Sequence, residues 1–220
     1  MPNSNTNPTV RILVFSASMR TGSLNTKLAN LITRVATERG AIVDAASMRD
    51  FDAPSYDGDH EISDGIPAGP RALHDRLLAN DAFVIVSPEY NASMPGVLKN
   101  VIDWTSRFRP QPFDSRHALL MSASPSMAGG NRGLWSLRVP LEHLGTRVFP
   151  DMFSLATAHK QFEGDRLADA KLQTRFETTV QSFLELVEAA KHYPCIKRAW
   201  VEFLGEPVGE GVDRVDVKAS

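Results

Sequence analysis

The sequence predicts an α/β fold in which a five-stranded parallel sheet, in the order 2-1-3-4-5, carries helices on both faces. Short runs that are apolar throughout, such as residues 10–15 and 82–86, indicate strands buried on both sides. Apolar residues at three- and four-residue spacing follow these runs, which is the period of an amphipathic helix. A chain of 220 residues, 42% of them hydrophobic, is long enough for one such domain with a segment appended.

Taken in order, five strands are predicted at residues 10–15, 41–46, 82–86, 117–121 and from 147 toward 153. The helices between and after them are marked by apolar stripes: Leu28, Leu31, Ile32 and Val35; Leu73, Leu77 and Leu78; Leu98, Val101 and Ile102; Leu134, Leu137, Leu141 and Leu144; Phe176, Val180, Phe183, Leu184 and Val187. Gly40 suits the C′ position of the first helix. Pro140 lies inside the fourth stripe, where it either kinks the helix or delays its start.

Two further features of this part of the chain are read as surface structure. Residues 50–69 are polar and rich in Pro, Gly and Asp, which predicts a loop with turns that can act as a mobile flap. His74 lies off the apolar stripe of its helix and is expected to be a solvated surface histidine.

Composition excludes several classes of protein. A net charge of −2 does not indicate a nucleic-acid partner, and no apolar run approaches the length of a membrane span. The single cysteine, Cys195, excludes an intrachain disulfide and suits a reducing cytoplasm. Residues 1–9 lack the features of a signal peptide and are expected to be a disordered leader, while residues 191–220 form an extension of unknown structure.

A hydroxyl-rich segment, residues 16–26, follows the first strand and leads into a helix; we call it the phosphate loop. Backbone N–H groups at a helix N-terminus attract anions, and Ser and Thr hydroxyls add donors. Arg20 supplies a fixed charge with a planar donor geometry for phosphate oxygens. The same residues also fit a plain Ser N-cap beside a solvated arginine, and the segment by itself leaves both interpretations open.

Two more polar loops are predicted at the carboxyl ends of strands, where ligands bind in open α/β sheets. The proline loop, residues 87–96, is longer than a simple strand-to-helix turn, and Pro88 and Pro95 stiffen it. The glycine loop, residues 122–133, is small, polar and flexible, and its glycines allow close approach of the backbone to a ligand. A solvent-exposed loop is the alternative interpretation of the glycine loop.

The proline loop and the helix after it resemble the NADPH-dependent FMN reductase family, a branch of the flavodoxin-like fold. The resemblance lies in Pro88-Glu89-Tyr90-Asn91, in Pro95-Gly96-Val97-Leu98-Lys99-Asn100 and in Asp103-Trp104. The phosphate loop matches the family's motif at Ser18, Arg20, Ser23 and Asn25, and the glycine loop at Ser122-Ala123-Ser124-Pro125 and at Gly129-Gly130-Asn131-Arg132. The resemblance covers about residues 10 to 190.

This resemblance implies a flavodoxin-like domain over residues 10–190 that binds FMN and uses NADPH or NADH as co-substrate. The residues implied to bind the cofactor are Ser16, Ser18, Arg20, Ser23, Leu24, Asn25, Thr26, Pro88, Glu89, Tyr90, Asn91, Ser122, Ser124, Pro125, Gly129, Gly130 and Arg132. Ala17 stands where the family usually has glycine, which requires a negative φ there. No catalytic residue is assigned with certainty, because the flavin carries the chemistry.

Other chemistries lack their motifs. The six histidines show no metal-ligand spacing, so no metal is expected, and there is no Gly-x-Ser-x-Gly elbow for hydrolysis. The Gly-x-Gly-x-x-Gly fingerprint is missing from the phosphate loop, and a Walker lysine motif is missing from the whole chain, so FMN fits better than tightly held NAD or ATP. Glu89 either fixes its loop by accepting backbone N–H bonds or transfers protons.

The expected function is that of an oxidoreductase that passes hydride from NADPH to FMN and electrons onward to a small acceptor: a quinone, an azo compound, a metal oxyanion or free flavin. A non-enzymatic flavodoxin-type electron carrier is the alternative, disfavoured by the near-neutral charge and by Tyr90 as the loop's single aromatic. A flavin-sensing regulatory module is a weaker one. Trp104, off its helix's buried stripe, is expected to be exposed at the helix through which the family commonly pairs, which predicts a homodimer or homotetramer.

Overall fold

The computed structural model describes residues 9–192, in which the predicted parallel sheet is present. Its strands are β1 (Arg11–Ser16), β2 (Ile42–Ser47), β3 (Ala82–Val86), β4 (His117–Ala123), β5 (Arg147–Val148) and β6 (Phe153–Leu155). The first five follow the order β2-β1-β3-β4-β5, all parallel, and β6 also pairs in parallel with β4. The predicted flavodoxin-like fold and strand order are confirmed.

The fifth strand departs from the prediction, because it is split into two short pieces on the same edge of β4. Val148 pairs with Ala118, and the ladder resumes where Phe153 pairs with Met121. Pro150 lies between the two pieces. A proline has no N–H to donate to a ladder, which is why it is confined to edges and interruptions of sheets.

Six α-helices pack around the sheet: α1 (Leu24–Glu38), α2 (Gly58–Asp64), α3 (Ala68–Ala79), α4 (Gly96–Thr105), α5 (Asn131–His143) and α6 (Ala170–His192). One buried cluster lies between the sheet and helices α1 and α6, and a second lies between the sheet and helices α3, α4 and α5. Both faces of β3 are therefore covered, and all five of its residues are buried. An antiparallel hairpin of β7 (Phe162–Glu163) and β8 (Arg166–Leu167) was not predicted.

The segment at residues 50–69 is only partly the loop that its composition suggested, because it contains the helix α2 and the start of α3. A short 3₁₀ helix at Met48–Phe51 begins with a capping box between Ser47 and Asp50, and α2 follows. The intervening backbone is bound to α4, since the indole N–H of Trp104 donates to the carbonyl of Pro54 at 2.8 Å. The N–H of Tyr56 donates to the side chain of Asn100, also at 2.8 Å. These two hydrogen bonds fix the segment to α4.

Two side-chain predictions on this face are also wrong. Trp104 is only 1% exposed, because its ring packs edge-on against Tyr56 with centroids 4.9 Å apart. His74 stacks on Phe108 with ring centroids 4.1 Å apart instead of standing free in solvent. Pro140 lies inside α5 near its end, so the start of that helix is not delayed. Helical periodicity shows which side chains of a helix face its own core, but not which of the others a distant segment covers. Both aromatic contacts were missed for this reason.

Several expectations lie outside the described residues: the leader before residue 9, the extension after residue 192, and Cys195. Within residues 9–192, no helix is long and apolar enough to cross a membrane. In the same range, no group of three or more His, Cys, Asp or Glu side chains is placed to hold a metal ion.

His117 gives the folded state a predictable pH dependence. It begins β4 at the end of the sheet opposite the three loops, it is buried, and its Nε2 has no hydrogen-bond partner among the described residues. Burial, and secondarily the charge of Arg147, lowers the pKa of His117. The unfolded chain therefore binds this proton more readily, so stability is lost as the pH falls below about 6.5.

We expect the urea midpoint to decrease as the pH is lowered from about 7.5 to about 5.5. His117→Gln should make this dependence of the midpoint on pH weaker, because glutamine cannot take up the proton. Urea unfolding at several pH values checks this. An unchanged slope in His117→Gln would contradict the assignment.

Candidate functional site

The three predicted loops lie side by side at one edge of the sheet, because they follow neighbouring parallel strands. Backbone hydrogen bonds continue the ladder past the strand ends: the N–H of Ala17 donates to Val86 at 2.9 Å, and that of Ser87 to Met121 at 2.8 Å. The phosphate, proline and glycine loops therefore start from one rigid platform. Sites built on such elements hold their groups more accurately than sites on free loops.

The phosphate loop presents a set of open donors. Ser23 caps α1, and its hydroxyl accepts the N–H of Asn25 at 3.1 Å. Inside the loop, Ser16 Oγ accepts the N–H of Ser18 at 3.3 Å and the hydroxyl of Thr26 at 3.4 Å, while Ser18 Oγ accepts the N–H of Arg20 at 3.3 Å. No acceptor within residues 9–192 takes the N–H groups of residues 21–24 or of Thr26. These free N–H groups, at the positive end of a helix dipole, suit an anion.

Arg20 lies in this loop with its side chain exposed, and no carboxylate in the described part of the chain pairs with it. The carbonyl of neighbouring Met19 accepts a hydrogen bond from Arg49 at 2.9 Å, which fixes the loop backbone from the side of the 3₁₀ helix. Ala17 is not among the residues with positive φ. The alanine that departs from the family motif is therefore accommodated without strain.

Asn25 joins the phosphate loop to the glycine loop. Its side-chain amide donates to the carbonyl of Ala123 at 3.0 Å and accepts the N–H of Ala123 at 2.9 Å. Asn25 is buried, so this paired contact is shielded from water. In this arrangement the side-chain amide of Asn25 joins the two loops. Leu24 is partly buried against the core, so it offers the site its backbone N–H.

The proline loop folds back on itself in a two-residue turn. Tyr90 and Ser93 exchange both backbone hydrogen bonds, at 2.9 and 3.0 Å, and between them Asn91 and Ala92 have φ values of 51° and 61°. Pro88 is buried at the base of the loop, while Tyr90 is 53% exposed at its tip. Asparagine tolerates a left-handed conformation, but alanine does not adopt it readily. Strain of this kind is often found at functional sites.

This strain leads to a stability prediction for Ala92. Glycine adopts a positive φ at no steric cost, so Ala92→Gly should stabilise the fold by about 0.5–1 kcal/mol despite the greater freedom of glycine in the unfolded chain. The urea midpoint of the purified variant checks this. Ala128→Gly is the matched control, since Ala128 is an exposed loop alanine without positive φ and should gain nothing.

Glu89 fixes the proline loop to the start of α5. Its carboxylate accepts the N–H of Gly133 at 3.1 Å and lies 2.6 Å from a guanidinium nitrogen of Arg132. Burial raises the pKa of Glu89, but the Gly133 hydrogen bond and Arg132 together lower it by more. The pKa of Glu89 therefore lies below its ordinary value. Glu89 is therefore ionised at neutral pH, which favours loop fixing over proton transfer. The Arg132 side chain remains 64% exposed.

Two residues that secure this junction were not predicted from the sequence. The hydroxyl of Ser136, in α5, accepts the N–H of Met94 at 3.0 Å. Gly133 lies so close to the proline loop that a β-carbon there would be 3.1 Å from the Glu89 side chain and 3.2 Å from the Ser93 carbonyl. The glycines before Gly133 indicated that the backbone approaches another group closely here. A serine within a helix, such as Ser136, gives no comparable indication in the sequence.

The glycine loop is held against the segment that follows β6. The N–H of Ser124 donates to Leu155 at 3.1 Å, and the N–H of Ala158 donates to Ser124 at 2.9 Å. Gly129 and Gly130 both have positive φ, and a β-carbon on Gly130 would collide with Ser122 Oγ. Ser122 is fully buried, and its hydroxyl has no partner among the described residues. Pro125 is exposed on the outer side of the loop.

Three features thus meet at one edge of the sheet. They are free N–H groups beside an arginine that no described carboxylate pairs with, a stiff turn with an exposed tyrosine, and a close-packed glycine loop. The free N–H groups of the phosphate loop fit a phosphate monoester. This combination defines a mononucleotide-binding protein of the doubly wound α/β class.

The comparison with protein families makes this specific. The family model described as NADPH-dependent FMN reductase matches residues 10–160, and the chain belongs to that family. It is 35% identical over 139 residues to a quinone reductase of Escherichia coli strain K12, which covers 63% of this chain and 73% of that protein. It is 32% identical over 177 residues to an NAD(P)H-dependent FMN reductase of Pseudomonas aeruginosa, covering 79% of this chain and 92% of that one.

A solved structure agrees with these relatives. FerB, a flavoenzyme NAD(P)H:(acceptor) oxidoreductase from Paracoccus denitrificans, superimposes with a TM-score of 0.70 at 28% identity, covering 82% of this chain and 98% of that one. The predictions of an oxidoreductase, of FMN and of a nicotinamide nucleotide are confirmed. The assignment of individual side chains to FMN stays a prediction.

Proposed function

We propose that FMN lies across the three loops with its phosphate in the phosphate loop and its ring between the Tyr90 turn and the glycine loop. The convergence of the free N–H groups, Arg20 and the exposed Tyr90 at one sheet edge carries this proposal. Bound FMN supplies the redox chemistry, taking hydride from NADPH or NADH and passing electrons to an acceptor.

In this arrangement the protein side chains bind and orient. Arg20, the N–H groups of residues 21–24 and the hydroxyls of the phosphate loop hold the phosphate. Glu89 keeps the proline loop in place through its contacts with Arg132 and Gly133, and Asn25 keeps the phosphate and glycine loops in register. The exposed Tyr90 would leave space for both substrates to reach the bound flavin in turn.

A quinone is the acceptor that we propose first. Relatives named as quinone reductases support it, and an open site beside Tyr90 admits flat molecules. Azo compounds, metal oxyanions and free flavin are acceptors of the same site. A flavodoxin-type carrier is disfavoured by the net charge of −2, because carriers dock through strongly acidic faces. The single cysteine keeps a reducing cytoplasm as the predicted location.

Steady-state kinetics test the enzymatic proposal. Because both substrates use one face of the flavin in turn, double-reciprocal plots against NADPH at several quinone concentrations should be parallel. Asn91→Leu, which places a branched side chain at φ 51°, should slow turnover more than it weakens FMN, because the phosphate anchor is elsewhere. Intersecting plots would contradict a shared site, and no aerobic NADPH consumption would favour the carrier.

We also propose a homodimer or homotetramer, on different grounds from those of the sequence. Buried Trp104 does not support it. Instead, α5 presents Trp135, 57% exposed, and Val139, 70% exposed, one turn apart, and the start of this helix is bound to the proline loop through Gly133 and Glu89. A second copy that covers this face would lie beside the flavin. Sedimentation at micromolar concentration should show the oligomer, and Trp135→Glu should dissociate it. A monomer in the unsubstituted protein would contradict the proposal.

A further inference from the structure

We propose that a groove beside α1 binds the adenylate end of FAD, so that this chain takes FAD as well as FMN. The α1 groove has a volume of about 470 Å³ and is lined by Lys27, Asn30, Leu31, Arg34, Phe162 and Asp165. The inference rests on the proposed placement of the FMN phosphate in the phosphate loop.

The α1 groove begins close to the phosphate loop. One wall is the exposed side of α1, and it starts one helical turn below the phosphate loop, since the N–H of Lys27 donates to the carbonyl of Ser23 at 3.1 Å. A helical turn rises about 5.4 Å. The other wall is the β7–β8 hairpin, which follows the segment bound to the glycine loop through Ala158 and Ser124. The α1 wall therefore begins one helical turn from the site proposed for FMN, and the hairpin wall follows within a few residues of the segment bound to the glycine loop.

The α1 groove combines a cation, an aromatic ring and an amide. Lys27 is exposed and has no carboxylate partner in the part of the chain that the structure describes, and its ammonium lies 5.9 Å from the centre of the Phe162 ring. Leu31, which is buried, and partly buried Phe162 form an apolar floor. Asn30 adds an amide that both donates and accepts. A cation, a ring and an amide are the groups that a phosphate joined to a purine would use.

The remaining charges of the groove are already balanced. Arg34 is paired with Glu38 at 2.6 Å, its Nη2 donates to the carbonyl of Asp165 at 2.9 Å, and the Asp165 carboxylate lies 3.6 Å from its Nε. Lys27 is then the cation left for a ligand. FAD is FMN extended by an adenylate group on the phosphate, so its second phosphate begins where the first one is held. This continuity favours FAD over a separate adenine nucleotide.

Equilibrium titration of the flavin-free protein with FMN and with FAD tests the proposal. We expect FAD to bind at least as tightly as FMN. Lys27→Ala should weaken FAD by about tenfold, because it removes one charge-assisted contact, and FMN by less than about threefold. Lys171→Ala, which removes an exposed lysine at the start of α6, is the matched control and should change neither affinity. Millimolar AMP should compete with FAD but not with FMN.

The outcomes separate the inference from the proposed function. Binding of neither flavin would refute both. Binding of FMN together with FAD at least tenfold weaker, or equal losses for the two flavins in Lys27→Ala, would overturn the inference alone. A raised KM for NADPH in Lys27→Ala with unchanged FAD affinity would assign the groove to the nicotinamide nucleotide, which also overturns it.

Discussion

Replacing Arg20 with alanine is expected to weaken FMN by about one to two powers of ten, because a charge-assisted contact to phosphate contributes about 1.5–3 kcal/mol. Arg20 is exposed in the phosphate loop, and no carboxylate within residues 9–192 neutralises it, so its charge is available to a ligand. The affinity for riboflavin, which has no phosphate, should decrease much less. Fluorescence titration with both flavins measures the two affinities.

The control for this variant is another exposed arginine. Arg166→Ala, in β8, removes the same charge away from the phosphate loop and should leave both flavins unaffected beyond a small screened change. Equal losses of FMN and riboflavin in Arg20→Ala would show that Arg20 acts on the ring or on folding, and would remove it from the phosphate site.

Gly130→Ala is expected to destabilise the protein by roughly 2–5 kcal/mol. Two costs add: a left-handed backbone, with φ 85°, costs alanine about 1–2 kcal/mol, and forced overpacking costs about 1–3 kcal/mol. The overpacking arises because the new β-carbon would collide with buried Ser122. Relief of the collision requires the glycine loop to move, so FMN binding should weaken as well. Urea unfolding and FMN titration measure the two effects.

Gly40→Ala separates these two costs. Gly40 has nearly the same φ, 87°, but a β-carbon there would meet nothing within 4 Å. The free energy of unfolding of Gly40→Ala should be lower by only about 1–2 kcal/mol, and this variant should bind FMN normally. Adding Ser122→Ala to Gly130→Ala should recover part of the stability, because the hydroxyl is the nearest atom in the collision. Equal losses at Gly40 and Gly130 would mean that the glycine loop is not closely packed.

The strands and the three loops were predictable because their signals are local. Residues 82–86 are apolar without a break, which is what a strand covered on both faces requires, and all five residues are buried. The polar loops had to meet, since parallel strands end at the same edge. The loop motifs then added the family, and Gly40 was correctly placed just after α1, with a positive φ.

The errors arose where distant segments meet. Trp104 stands off the apolar stripe of α4, and only the Pro54–Tyr56 backbone folding over it makes it buried. The sequence also did not predict that the Asn25 amide would pair with Ala123, 98 positions along the chain. The break in the fifth strand at Pro150 depends on the register with β4. Such contacts follow from tertiary packing, which a local pattern does not contain.

We propose that the three loops form one FMN site that a nicotinamide nucleotide can reach. Anaerobic titration of the FMN-loaded protein with NADPH, followed through the flavin absorbance, tests it most directly. We expect FMN to stay with the protein through gel filtration, a single equivalent of NADPH to bleach it, and added quinone to restore the colour. Failure to retain FMN, or bleaching no faster than that of free FMN, would contradict a shared site of this kind.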